Sequence, residues 1–395
     1  MKTMKLATAA GLLLSVSSVA LAQDVQPVEV DALYVGDVLT TLQGGAKKNV
    51  DYIDDVRLSA VVDTEALLGI PHGTAYVSGR AFLASDYSGS HLGEFQKVSN
   101  IDTFTAVRLY EAWYEQRFQD DRLSIRAGLY DLNAEFDVTP PSTLFLNASQ
   151  GIGTDFGQTG FNGPSIFPVT SLSARVAWID PSGFSVLVAV LDGAPGSPNH
   201  PKRTAIKLSK DEGALVTGEV QYLWDGGKAN IGAWTYTARF DDFRTAAAAV
   251  PTTGRGNAGV YGSLSGLILG EAGQPMVEAY VRVGAAAPAF NTVSTYAGGG
   301  FVVTGLIPGR PEDKLGLAVG YARTGAPYRQ FIVASGDQSA RAETILELSY
   351  RAELASWIAV QPDFQAIIRP GFGAGAQTGY VAGLRFEINP LSLLR

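Results

Sequence analysis

The chain has 395 residues, of which 46% are hydrophobic and 17% are charged, with 45 glycines and no cysteine. The formal charge of −8 at pH 7 argues against a nucleic-acid-binding protein, which needs a basic face for phosphate contacts. Without cysteine the chain has no disulfide, thiol nucleophile or Cys-ligated zinc, and its apolar content argues against disorder.

The first residues predict export. Lys2 and Lys5 precede a mostly small and apolar stretch, and Ala20-Leu21-Ala22 forms an A-x-A site. This pattern is typical of a secretory signal peptide over residues 1–22, which is removed in the mature protein. Its removal lowers the formal charge to −10, because two lysines and no acidic residue are lost. The absence of cysteine suits a chain that enters an oxidising compartment.

Hydrophobic and polar residues alternate along the mature chain in short runs separated by Gly, Pro, Asp and Asn clusters. Examples are residues 55–63, 122–130, 172–178, 277–284 and 380–388. Within 122–130, one set of alternate positions carries only Leu, Ile and Ala, whereas the other carries Arg, Ser, Gly and Tyr. A period of two places the two sets on opposite faces of a strand, so the sequence predicts an all-β protein.

Two architectures produce this alternation: a soluble antiparallel sheet with apolar residues inside, and an outer-membrane barrel with apolar residues facing lipid. Arginines beside small residues on the polar faces, and turn signals that continue without a linker, favour the barrel. Aromatic residues near run ends are typical of interfacial girdles: Tyr76, Trp178, Tyr222, Trp224, Tyr321, Tyr350 and Trp357. Removal of 22 residues leaves 373. At about 23 residues per strand and loop, these predict a transmembrane antiparallel β-barrel of about 16 strands.

The start of the mature chain has a different pattern. Residues 31–43 place Leu33, Val35, Val38, Leu39 and Leu42 at near-helical spacing, and two glycines follow. The pattern predicts a short amphipathic helix in an N-terminal segment, residues 23–50, that lies in the periplasm or plugs the barrel. An ordinary capping helix is the alternative. The barrel is then predicted to occupy residues 51–395.

A series of motifs resembles one family of porins. The series runs Tyr-Val-Ser-Gly-Arg (76–80), Val-Ser-Asn-Ile (98–101), Arg-Leu-Tyr-Glu-Ala-Trp-Tyr-Glu-Gln (108–116), Leu-Ser-Ile-Arg-Ala-Gly-Leu-Tyr-Asp (123–131), Glu-Phe (135–136), Leu-Phe-Leu-Asn-Ala-Ser (144–149), Ala-Val-Leu-Asp-Gly-Ala-Pro-Gly (189–196) and Trp-Ile-Ala-Val-Gln-Pro-Asp-Phe-Gln (357–365). The chain thereby resembles the carbohydrate-selective outer-membrane porins of the OprB family. The resemblance covers nearly all of the mature chain and is most specific over residues 76–196.

The resemblance implies a barrel of roughly sixteen strands in the Gram-negative outer membrane, surrounded by outer-membrane lipid, through which sugars such as glucose diffuse inward. Family members are monomers or trimers. One feature departs from outer-membrane barrels, which commonly end on an aromatic residue, because residues 389–395 contain none. Either the last strand ends near Ile388 and a short tail follows, or assembly tolerates a divergent end.

A passive sugar channel needs polar groups that replace the hydration of the sugar without holding it tightly. Arginine offers five donors in a planar fork, and carboxylates accept from sugar hydroxyls. The predicted pore-lining residues are Arg57, Arg80, Arg108, Glu111, Arg126, Asp131, Glu135, Arg175, Arg282 and Arg351. Arg108 and Glu111 share one face only if their strand carries a bulge. The alternative for each arginine is a salt-bridged wall residue far from the constriction.

The long loop over residues 140–168 is the candidate for an inward-folded constriction loop. An enzyme is disfavoured, because His72, His91 and His200 lie in turn-like settings and neither H-E-x-x-H nor G-x-S-x-G occurs. We expect no cofactor and no metal site. Two further alternatives are a general or anion-preferring porin and a soluble extracellular β-protein.

Overall fold

The computed structural model describes residues 27–197, 199–270 and 276–394. Within these residues the strands in chain order are β1 (Val28–Gln43), β2 (Val50–Asp63), β3 (Gly73–Ser85), β4 (Phe104–Phe118), β5 (Leu123–Tyr130), β6 (Ser171–Ile179), β7 (Phe184–Asp192), β8 (Ala214–Trp224), β9 (Gly227–Tyr236), β10 (Phe240–Asp241), β11 (Thr253–Gly254), β12 (Ala258–Leu269), β13 (Met276–Ala286), β14 (Val293–Thr304), β15 (Lys314–Thr324), β16 (Ala342–Ala355), β17 (Ile358–Ile368) and β18 (Gly379–Ile388). Strands β10 and β11 pair with each other, and the other sixteen described strands form a closed antiparallel barrel in which β1 pairs with β18. The predicted fold class is therefore confirmed, and β18 ends at Ile388. The signal peptide predicted over residues 1–22 lies outside the described residues.

Helices are short in the described residues. The α-helices are α1 (Thr64–Leu68), α2 (Tyr87–His91), α3 (Ala148–Gly151), α4 (Thr154–Gly157) and α5 (Ala326–Ala334), and four 3₁₀ turns cover Leu132–Ala134, Pro140–Leu144, Pro370–Phe372 and Pro390–Leu394. Not one helix in this part of the chain has the length and apolar character needed to cross a membrane.

The barrel wall is apolar outside and polar inside. On β6, Val176 is 45% exposed on the outer face, whereas the adjacent Arg175 is 2% exposed on the inner face. On β13, Val281 and Arg282 repeat the arrangement, with exposures of 50% and 5%. This is the reverse of a soluble sheet, and it matches the band of a membrane barrel that faces lipid.

The helix predicted over residues 31–43 is wrong, because these residues belong to β1. The strand pairs with β2 on one side and with β18 on the other, so the barrel wall begins within the segment that was set apart as residues 23–50. Val35 and Leu39 are buried on the inner face, whereas Val38 lies on the outer face. Apolar side chains on both faces hide the period of two and imitate helical spacing.

Two connections at the long-loop end of the barrel fold into its interior. We call residues 86–103 inner loop 1 and residues 131–170 inner loop 2. Phe136, Phe145 and Phe156 of inner loop 2 are at most 1% exposed, and Phe156 stacks on Trp234 of the wall with 5.2 Å between ring centroids. The predicted inward loop is thus present, and it begins at residue 131 instead of 140. Connections at the other end of the barrel are short, such as residues 225–226 and 356–357.

Small residues on the inner wall make room for these loops. A Cβ atom on Gly316 of β15 would lie 2.6 Å from Cδ2 of Leu144 in inner loop 2. At Gly320 it would lie 2.5 Å from Oε1 of Gln96 in inner loop 1. Part of the high glycine content therefore serves the packing of loops against strands.

Candidate channel and constriction

An arginine–carboxylate pair links β2 and β3 on the inner wall. Arg80 donates from Nε to Oδ1 of Asp55 at 3.0 Å and from Nη2 to Oδ2 of the same carboxylate. The guanidinium carbon also lies 4.7 Å from the ring centre of Tyr110 and 4.5 Å from that of Phe167 in inner loop 2. Arg80 is therefore held between a wall carboxylate and two aromatic rings.

A second cluster joins the wall to inner loop 2. Arg126 donates from Nε to Oε2 of Glu115 at 2.9 Å, and Arg175 donates from Nη2 to the same oxygen at 2.8 Å. Arg175 also makes two bonds of 2.8 Å to Glu135, which comes from inner loop 2. Three of the predicted residues, Arg126, Arg175 and Glu135, thus meet around Glu115, a carboxylate that the sequence analysis did not select.

The bulge that Arg108 and Glu111 require is present in β4. Ser78 pairs with Glu111 and the next residue, Gly79, pairs with Leu109, so Tyr110 is the extra residue. Both predicted residues can then face inward. Glu111 accepts a bond from the backbone N–H of Asp131 at 3.2 Å, whereas Arg108 donates to the carbonyls of Pro201 and Arg203 at 2.8 Å each. Arg108 therefore anchors the connection between β7 and β8.

Arg282 is enclosed by inner loop 2. It donates to both carboxylate oxygens of Asp137, at 3.1 and 2.7 Å, and it pairs with Asp155. Burial raises the pKa of Asp155 to about 6, although Arg282 opposes the shift. The arginine is 5% exposed, so it fastens the loop to β13.

The two remaining predicted arginines are Arg57, in the middle of β2, and Arg351, close to the short turn that follows β16. Arg57 lies 3.8 Å from Asp31 of β1, and Arg351 donates to Glu353 at 2.8 Å and also to Glu387. These side chains are more exposed than the others, at 28% for Arg57 and 21% for Arg351.

Carboxylates on the opposite wall hold both inner loops, and they are not among the residues predicted from the sequence. Glu343 of β16 accepts backbone N–H bonds from Phe95 and Gln96 at 3.1 and 2.8 Å. Glu347 accepts from the N–H groups of Leu146 and Asn147 at 2.6 and 3.2 Å. The sequence pattern does indicate these two residues, because acidic residues at alternate positions of an otherwise apolar strand predict its inner face.

A further missed pair ties inner loop 1 to the barrel seam. Arg385 of β18 donates to both oxygens of Asp37 on β1, at 2.7 and 2.8 Å, and to Asn100 of inner loop 1 at 2.8 Å. Arg385 lies in one of the alternating runs, on its polar face, but was not selected as a candidate.

One aromatic residue predicted for the girdle lies inside. Tyr76 stacks on Trp113, with 5.1 Å between ring centroids, and Arg126 lies 3.9 Å from the Trp113 ring centre. By contrast, Trp178 and Tyr222 are exposed on the outer face, as a girdle requires. The barrel interior therefore offers cationic donors, carboxylate acceptors and aromatic faces together.

Comparison with known proteins identifies the family. Residues 47–389 match the family model described as "Carbohydrate-selective porin, OprB family". Porin B of Pseudomonas aeruginosa is 22% identical over 90% of this chain and 86% of its own length. The high-pH structure of Pseudomonas putida OprB superposes with a TM-score of 0.82 at 21% identity, covering 92% of this chain and 94% of that one. The low-pH structure of the same protein gives a TM-score of 0.59 at 17% identity and covers 92% of each chain. The chain belongs to the OprB family of carbohydrate-selective porins, passive channels of the Gram-negative outer membrane and not enzymes.

Proposed function

We propose that neutral mono- and oligosaccharides of the glucose type cross this barrel along the inner face of β1–β3 and β16–β18. The supporting observation is the solvent exposure of the arginine side chains on the inner face. An inner-face side chain that remains accessible opens onto the lumen, and Arg57 and Arg351 are the more exposed arginines among those predicted for the pore. Arg80, at 13%, is intermediate.

The ten predicted residues accordingly divide into two groups. Arg57 on β2, Arg80 on β3 and Arg351 on β16 form the proposed polar track for sugar hydroxyls, whereas Glu111, Asp131 and Glu135 hold inner loop 2. Arg108, Arg126, Arg175 and Arg282 position the loops that narrow the lumen, since their guanidinium groups are used by loop or wall partners. Neither group takes part in covalent chemistry. The sugar replaces hydrogen bonds to water with hydrogen bonds to the track and then dissociates from them.

The pairing of charges favours sugars over anions. Arg57 faces Asp31, Arg80 faces Asp55, and Arg351 faces two glutamates. A paired arginine keeps donors for a hydroxyl while the adjacent carboxylate reduces its positive potential. An anion-preferring porin would need unpaired cations along the track.

Single-channel recording in a planar bilayer tests this function. We expect stable channels whose current is reduced by glucose, maltose or sucrose in a concentration-dependent way, with no anion preference in a KCl gradient. Stable channels that ignore all three sugars would contradict sugar selectivity, and a reversal potential set by chloride would favour the anion-preferring alternative.

We also propose that outer-membrane lipid covers the apolar outer face, on which Val176 and Val281 lie. Incorporation into lipid nanodiscs, but not into lipid-free buffer, is the expected behaviour. Light scattering of the same particles distinguishes the monomer from the trimer, both of which occur in the family.

A further inference from the structure

The barrel wall is low along one side. Strands β5, β6 and β7 contain 8, 9 and 9 residues, whereas the neighbouring β4 contains 15. A tilted strand rises about 2.5 Å along the barrel axis per residue, so these three strands reach only about 20–23 Å. The outward apolar band of an outer-membrane barrel is about 25 Å tall. The wall on this side therefore ends just below the headgroup layer of the outer leaflet.

Part of the connection between β7 and β8 completes the wall on this side. At one end, the hydroxyl of Thr204 donates to the carbonyl of Leu109 on β4 at 2.7 Å. At the other end, the N–H of Gly193, directly after β7, donates to the carbonyl of Gly213, directly before β8. The chain between these contacts therefore crosses the extracellular ends of β5 and β6, which lie between β4 and β7 in the barrel. We call residues 201–212 the rim segment.

Apolar and cationic side chains are exposed together on the rim segment. Ile206 is 58% exposed and Leu208 is 66% exposed. Three exposed cations of the segment form no salt bridge among the described residues: Lys202, Arg203 and Lys210. A fourth cation, Lys207, pairs with Glu212 at 2.9 Å. Exposed apolar side chains beside unpaired cations, at the upper edge of the apolar band, fit a partner that is both apolar and anionic.

The charges at the two ends of the barrel indicate the same kind of partner. At the long-loop end, the six connections other than inner loops 1 and 2 carry twelve Lys or Arg and five acidic residues, a net charge of +7. The seven connections at the short-turn end carry two Arg and eight acidic residues, a net charge of −6. The long loops of such barrels are extracellular, so the cationic end meets the outer leaflet. Clustered cations at a membrane surface attract anionic headgroups.

We propose that the rim segment binds phosphate-bearing lipids of the outer leaflet. Their phosphate groups contact Lys202, Arg203 and Lys210. Their acyl chains pack on Ile206 and Leu208. Ammonium and guanidinium groups donate to phosphate oxygens, and such bonds between charged groups are about twice as strong as bonds between neutral groups. The proposal rests on the outer-membrane setting of the barrel and is independent of the solute that crosses its lumen.

Native mass spectrometry of the full-length channel in a neutral detergent tests this site, with lipid A as the probe. We expect the wild type to bind phosphorylated lipid A more tightly than the dephosphorylated form. In Lys202→Gln/Lys210→Gln the affinity for the phosphorylated form should fall about ten- to thirtyfold, since each surface cation contributes about fivefold. Lys47→Gln/Lys48→Gln, which removes two exposed cations from the connection between β1 and β2, is the charge-matched control and should leave this affinity nearly unchanged.

Equal losses of affinity in the two double variants would assign lipid binding to the charge of the whole barrel end and overturn the site. Displacement of the lipid by excess inorganic phosphate would indicate a simple anion site and would also overturn the proposal. Leu208→Ser should weaken binding of both forms of lipid A, and an unchanged affinity would contradict the packing of acyl chains on the rim segment. Sugar block in planar bilayers should be the same in all these variants, so failure of the lipid site leaves the proposed function standing.

Discussion

At the scale of single residues, the partner of a charge decides its role. Arg57 and Arg175 are both inner-face arginines in alternating runs, and the sequence does not separate them. Arg57 has one carboxylate at 3.8 Å and remains accessible, whereas Arg175 binds Glu115 and Glu135 and is 2% exposed. The first can contact a permeating solute, and the second can only hold structure.

Arg57→Gln should change transport and leave stability nearly intact. The loss of a long, accessible ion pair costs at most about 1 kcal/mol of unfolding free energy. Sugar block should weaken about two- to tenfold, the effect of one lost hydrogen bond. The reason is that the Gln side chain is shorter than that of Arg and does not reach the permeating sugar. Titration of glucose in single-channel recordings measures the effect, with Arg323→Gln, outside the proposed track at the long-loop end of β15, as control. Equal block in variant and wild type would remove Arg57 from the track.

Arg175→Met should have the opposite effect. Removing Arg175 from this buried ion cluster leaves Glu135 with only the longer contact to Arg126, at 3.5 Å, and costs roughly 3–5 kcal/mol. The melting temperature in detergent should fall clearly, while Arg57→Met, as the exposed counterpart, should lower it little. A thermal scan of both variants measures these melting temperatures. Equal values for Arg175→Met and Arg57→Met would contradict the division of the arginines into two groups.

At the scale of elements, the inner loops are held by buried polar contacts instead of by secondary structure. Glu343 and Glu347 accept backbone N–H groups of the loops, and the Cα hydrogens of Gly316 leave space for Leu144. Such loops satisfy their backbone groups with side chains of the wall. Their stability therefore depends on the protonation of buried carboxyl groups.

The packing of inner loop 1 should weaken as pH rises. Burial raises the pKa of Glu94 from 4.5 to about 8. Between these pH values the packed loop holds a proton that the unpacked loop releases, so the stability present below pH 4.5 is lost progressively up to pH 8. Hydrogen exchange of residues 86–103, corrected for intrinsic rates, should be faster at pH 8.5 than at pH 5. In Glu94→Gln the difference should disappear, and its persistence would assign the pH dependence to other groups, such as the nearby Glu343.

At the scale of the whole molecule, the inverted distribution of polar and apolar side chains determines which environment the barrel surface requires. Most apolar side chains at alternate strand positions point away from the barrel axis, and the interior holds polar wall side chains, apolar wall residues such as Leu187 and Leu191, and two loops. Such a surface is stable only against lipid or detergent.

Val281→Arg tests which face of the barrel meets lipid. A charge on the lipid face near mid-bilayer should cost roughly 2–4 kcal/mol of folding free energy. Folding into lipid vesicles, followed by the heat-modifiable shift in gel mobility, should be impaired, while Val281→Leu should fold as the wild type does. Normal folding of Val281→Arg would show that the face assignment is wrong.

Alternation, turn signals and length together were sufficient to predict a barrel of about sixteen strands. They succeeded because a strand with one lipid-facing side must repeat every two residues. The run at 55–63 lies in β2, and the run at 122–130 begins one residue before β5 and ends with it, for this reason. The same rule failed in β1, where Val35 and Leu39 face inward against inner loop 1 and apolar residues occupy both sides.

Sequence by itself determined the chain's β architecture, its family and the inner-face position of strand arginines such as Arg126, Arg175 and Arg282. Only the tertiary structure decided which carboxylates these arginines meet and that Tyr76 lies inside the barrel. The physical reason is the separation along the chain over which each signal acts. Strand periodicity is a local property of neighbouring residues, whereas the partners Arg282 and Asp137 are 145 positions apart and meet only because a loop folds back into the closed barrel.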